Sequence, residues 1–171
     1  MIKLDRVGAV WVSTVLYILI SLAIIGMVIA AVTPRINSAK DKATIEQTII
    51  MLDSLDSTIQ QVSQVQGTKL KSEFKMSRGL LSIDAANDRI VWHLNNSVYK
   101  YSEPGVPINI SNIQVLTTRA AGGSGWNIEL KLDYKNKLDI TSTVSLLQPA
   151  EVPYKLWIEN KGNNLIDISA T

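Results

Sequence analysis

The chain has 171 residues, 17 of them basic and 15 acidic, for a formal net charge of +2. That length holds one domain with a modest core plus a helix, and so even a charge balance excludes the basic footprint of a nucleic-acid binder. There is no cysteine, which excludes a disulfide framework and any thiolate metal site.

No charged residue occurs from Val7 to Thr33, and Val10 to Val32 is almost continuously apolar. A spanning helix needs about 20 apolar residues. At about 1.5 Å per residue, Ala9 to Thr33 would be roughly 37 Å long, enough to cross a hydrocarbon core with some tilt. Ser13, Thr14 and Ser21 can bond back to carbonyls one turn earlier, so they do not forbid insertion. A secretory signal peptide has an apolar core of about 7–15 residues. This run is longer and flows into a second helical pattern. Lys3 and Arg6 precede it, and Arg35, Lys40 and Lys42 follow it, so counting basic residues does not by itself orient the span.

Pro34 follows directly, and a proline there is expected to mark a bend. Beyond it, Ile45, Ile49, Leu52, Leu55, Ile59 and Val62 recur at spacings of three and four, with Glu46, Asp53, Asp56 and Gln60 among the polar residues between them. That pattern predicts an amphipathic helix ending near Gly67, a residue suited to a C′ position. Its stripe serves either the chain's own core or a partner helix.

After Gly67 the period shortens to two. Ile128, Leu130, Leu132 and Tyr134 alternate with Glu129, Lys131 and Asp133, which predicts a strand over Asn127–Tyr134. The turn Lys135-Asn136-Lys137 then predicts a hairpin with Leu138–Leu146. Further hairpins are predicted over Leu80–Leu94 and between Tyr154–Glu159 and Leu165–Ser169, with extra strands at Val98–Tyr101 and Ile113–Arg119. About eight short strands with regular turn signals predict an antiparallel sandwich. The fold class is therefore α+β: a long N-terminal helix, transmembrane then amphipathic, followed by an antiparallel β-sandwich head.

Chemistry-bearing motifs are sparse. The single histidine, His93, alternates with Trp92 and is expected at the sheet surface. No serine lies in a nucleophile elbow. Gly122-Gly123-Ser124-Gly125 lacks the lysine and helix of a phosphate loop. Asp84 and Asp88 flank a turn, where aspartate commonly bonds the backbone and only weakly suggests calcium. No catalytic residue, metal site or cofactor is expected. The sequons at Asn95 and Asn109 are candidate glycosylation sites.

A short charged leader, Met1 to Gly8, meets an apolar helix at Ala9-Val10-Trp11; an amphipathic stem and a β-rich region follow. In that order the chain resembles type IV pilins and archaellins. The resemblance implies a leader at residues 1–8 cut between Gly8 and Ala9, a filament-core helix at 9–33, a stem at 34–67 and a head at 68–171. It implies that Trp11, Tyr17, Ile24, Ile25 and Val28 lie in the packed core of a homo-oligomeric helical filament. It further implies a membrane-anchored precursor handled by a prepilin peptidase and a pilus assembly platform, then an extracellular surface filament with no nucleic-acid partner. Ser13 occupies the fifth position after the implied cut, where bacterial pilins usually carry glutamate. That points to an archaeal type. Arg6 lies one position farther from Gly8 than the usual archaeal basic residue, with Val7 between. The alternative is an anchored envelope protein, similar to archaellum stator components, which also join one span to a β-sandwich.

Overall fold

A computed structural model describes residues 5–123 and 125–170, with side chains from Trp11 onward. One helix and ten strands are assigned among them. The helix, α1, spans Asp5–Ser63 and continues through Pro34. Two compact units meet between Ser38 and Ala39.

In the first unit, the large apolar side chains of α1 described from Trp11 onward are exposed. Two of its hydroxyls turn inward to its own backbone. Ser21 donates to the Tyr17 carbonyl at 2.8 Å and Thr33 to the Ile29 carbonyl at 2.7 Å.

In the second unit, α1 becomes one wall of a core. Ile45, Ile49, Leu52, Leu55, Ile59 and Val62 are all buried, as their spacing predicts. The helix ends at Ser63 rather than at Gly67. Gly67 instead takes a positive φ of 81° in the turn that follows. The last carbonyls are capped from a distance. Asn160 Nδ2 donates to Val62 O at 3.1 Å and Ser63 O at 3.2 Å. Helix ends leave such carbonyls without intrahelical donors, and no basic residue stands in the last turn of α1.

Two sheets follow. The first orders its strands β1 (Lys69–Phe74), β9 (Tyr154–Gly162), β10 (Leu165–Ala170) and β7 (Asp139–Ser142). The second orders β4 (Ile108–Ile110), β5 (Ile113–Arg119), β6 (Trp126–Asp133), β3 (Arg89–Ser97), β2 (Leu80–Asp84) and β8 (Leu146–Leu147). The β2–β3 and β9–β10 hairpins form as predicted. Along β6, Ile128, Leu130 and Leu132 are buried, and Tyr134 continues their face.

Three expectations change. The turn at Asn136 exists, with φ 65°, but it closes no hairpin. It carries the chain from β6 in the six-stranded sheet to β7 in the four-stranded one. There β7 pairs with β10 in parallel, so the sheets are antiparallel-rich, not wholly antiparallel. Val98–Tyr101 is not a strand either, because the chain turns at Ser97, whose hydroxyl accepts from Tyr99 N at 3.1 Å. Neither sheet closes on itself.

One apolar core joins the helix stripe to both sheets, with Trp92 and Phe74 its largest fully buried side chains. Trp92 lies opposite Leu81 on one neighbour and Leu130 on the other. Its indole N–H points to the Arg78 carbonyl at 3.2 Å.

Candidate functional site

The first unit presents its apolar surface without interruption. Every large apolar side chain from Trp11 to Ile36 is exposed, from 42% at Val32 to 72% at Tyr17. Trp11, Tyr17, Ile24, Ile25 and Val28 all belong to this surface. By length and composition the segment can cross a membrane. An isolated helix that is apolar all round must be covered by lipid or protein. Gly8 and Ala9 lie on the helical backbone of α1, while the Ala9 side chain and residues 1–4 lie outside the described residues.

Among the described residues of the second unit two carboxylates are buried, both on α1. Asp41 is 2% exposed. It pairs with the Arg78 guanidinium. It also accepts from Val98 N at 2.7 Å and from the Ser97 hydroxyl at 3.2 Å. This ties the beginning of the second unit's helix to the segment after β3.

Asp56 is 4% exposed. It accepts from Gln60 Nε2 at 2.6 Å, Asn112 Nδ2 at 2.7 Å and the Tyr134 hydroxyl at 2.8 Å. Burial, followed by the Asp56 charge and the bond to it, pushes the Tyr134 phenol far above its ordinary range. Beside this group lies a cavity of about 400 Å³ that also reaches Asp133, Lys137 and Leu138. The stem pattern marks Asp56 only as a polar position; nothing local signals that Asn112 and Tyr134 arrive from the sheet.

The remaining candidates separate. His93 lies beside Glu129, at 3.7 Å, on the outer surface of the six-stranded sheet. Asp84 bonds Asn87 at 2.9 Å and Arg89 at 2.8 Å, and those two donors hold its carboxyl below the usual range. Asp88 does backbone work instead, accepting from Ile140 N at 2.9 Å. Among the described residues no three His, Asp or Glu side chains stand close enough to share a metal ion. Asn95 and Asn109 are both exposed, on β3 and β4. Their sequon hydroxyls differ, since Ser97 is fully buried against Asp41 whereas Ser111 is exposed.

No known protein family, curated protein or solved structure matches the chain.

Proposed function

We propose that this chain is a structural subunit, major or minor, of an archaeal type IV pilus-like surface filament. One observation carries the reading: an uncovered apolar helix continues into a unit with its own complete core. Exposed apolar surface of that extent needs a cover. Lipid supplies it for the precursor, and copies of the same helix supply it in a filament, so assembly exchanges one apolar environment for another. The proposed core residues are Trp11, Tyr17, Ile24, Ile25 and Val28. In this reading the two sheets form a β-sandwich head on the filament surface, with Asn95 and Asn109 available to carry glycans. A prepilin peptidase cuts between Gly8 and Ala9, and an assembly platform extracts the helix from the membrane.

The test is the mature N-terminus. The full chain is expressed in an archaeal host, and intact masses are measured for sheared surface material and for membranes. A chain beginning at Ala9 in sheared filaments supports the proposal. A chain beginning at Met1 and confined to membranes overturns it in favour of an anchored envelope protein.

A further inference from the structure

The cavity beside Asp56 has features that the filament reading does not use. Its carboxylate is almost wholly withdrawn from solvent, yet its three partners are two carboxamides and a phenol, all neutral. Among the described residues no lysine, arginine or histidine pairs with it, in contrast to Asp41 and its arginine. A buried charge without a countercharge is costly, and neutral hydrogen bonds offset only part of that cost. A carboxylate offers about four lone-pair positions. Here Oδ2 receives two donors and Oδ1 only the Tyr134 hydroxyl, so Oδ1 has room for another. Asp133 also lines the cavity, but its carboxylate accepts from Lys135 N at 3.1 Å and lies beside Lys131, so Asp56 is the acceptor that matters here. Leu132 and Leu138 provide apolar surface beside it, and at about 400 Å³ the space falls in the range of small-ligand sites.

We infer that this cavity binds an organic cation bearing N–H donors, a primary ammonium or a guanidinium, with Asp56 Oδ1 as its acceptor. The donor group completes the acceptor set of Asp56 and supplies the missing positive charge, while its alkyl stem lies along Leu132 and Leu138. Two sources share this chemistry: a free amine, or the lysine or arginine of a second copy. The competing occupant is the ammonium of Lys137, which lines the same cavity but makes no ion pair with Asp56.

The experiment titrates the full chain in detergent micelles with n-butylammonium chloride, following the side-chain amide NMR signals of Asn112 and Gln60. Tetramethylammonium chloride at equal ionic strength is the control, carrying the same charge without an N–H. Butylammonium shifts these signals saturably and tetramethylammonium does not. Asp56→Asn weakens the binding about tenfold to a hundredfold, the effect of removing a charged acceptor. If that variant does not fold, Leu138→Phe provides the same test by filling the cavity without touching Asp56, and it too weakens binding. Equal shifts from both salts, or a butylammonium response unchanged in Leu138→Phe, overturn the inference. So does a response that appears only in Lys137→Gln, because the cavity then belongs to Lys137. Light scattering on the same samples separates the sources. Particle mass falls with butylammonium if a second copy's side chain is the natural occupant, and stays constant if a free amine is.

Discussion

Gly79 tests the core at its largest side chain. It sits just before β2 with a φ of +84°, and a Cβ placed there would meet Trp92 Cε2 and Nε1 at 2.5 Å and Cζ2 at 2.6 Å. Both features penalise Gly79→Ala. The left-handed backbone costs an alanine about 1 kcal/mol. The indole is fully buried, so it cannot swing away freely, and overpacking of that kind costs about 1–3 kcal/mol. A ring displaced far enough to lose both of its acceptors, the Arg78 carbonyl at 3.2 Å and Met76 Sδ at 3.1 Å, adds an unsatisfied N–H, about 1–3 kcal/mol more. The expected loss is about 2–4 kcal/mol from backbone and overpacking, and about 3–7 kcal/mol if the N–H is also left unsatisfied.

Gly105 isolates the steric part. Its φ is +78°, close to that of Gly79, but a Cβ there meets nothing within 4 Å. Gly105→Ala should therefore lose only the backbone part, about 1 kcal/mol. Thermal unfolding in mild detergent, followed by near-ultraviolet circular dichroism, reads both variants, and Gly79→Ala should also alter the native tryptophan signal. Equal losses in the two variants would refute the argument that the Trp92 contact carries the difference.

Other substitutions separate the two regions of α1 and probe the sites of the second unit. Ile49 is 9% exposed and Ile50 is 69% exposed, so by calorimetry Ile49→Ala should lose about 2–4 kcal/mol and Ile50→Ala less than about 0.5; similar losses would contradict the one-sided stripe. Replacing both Ile20 and Ile24 by arginine places two charges in the apolar run at about 2.5–3.5 kcal/mol each. Alkaline extraction should then release the chain from membranes, and full retention would count against lipid as the cover of this helix. The Tyr134 phenol has a raised folded pKa, whereas an unfolded phenol ionises near pH ~10. Its contribution is therefore fully present below about pH 10 and is lost as the pH rises beyond it. Tyr134→Phe should flatten the alkaline fall in melting temperature, and an unchanged slope would assign that fall elsewhere.

The sequence made the helix stripe legible because its six apolar positions repeat over several turns and a period of 3.6 leaves only one face for them. The β6 face was legible for the same reason at period two. The destination of β7 was not. Ile140 alternates correctly whether its strand pairs with β6 or with β10. The choice is made by distant bonds, from Ile140 N to Asp88 and from Asp139 N to Asn164 O, at 2.9 Å each. The buried carboxylates were hidden in the same way. Asp56 reads as one more polar position between apolar ones, and it is buried only because Asn112 and Tyr134 arrive from 56 and 78 residues away. Asn160 looks like a strand residue, and nothing near it in sequence announces that it caps a helix.

These cases place the limit of a local reading where a side chain's partner lies outside its own element, and the same consideration bears on α1 itself. From Ile45 to Val62 its buried apolar side chains lie on one face, with Ile50 the exposed exception, and that face is satisfied by strands of the same chain. From Trp11 to Ile36 the exposed apolar side chains are not so confined. A soluble helix would suppress such surface with charge, yet the charge-free run lasts from Val7 to Thr33, and Ser21 and Thr33 turn their hydroxyls onto their own backbone. Apolar surface of that extent requires a cover. Lipid tails and neighbouring copies of the helix meet that requirement equally well. The apolar surface therefore suits both the membrane-bound precursor and the polymer that we propose, and the mature N-terminus and its location are what would tell them apart.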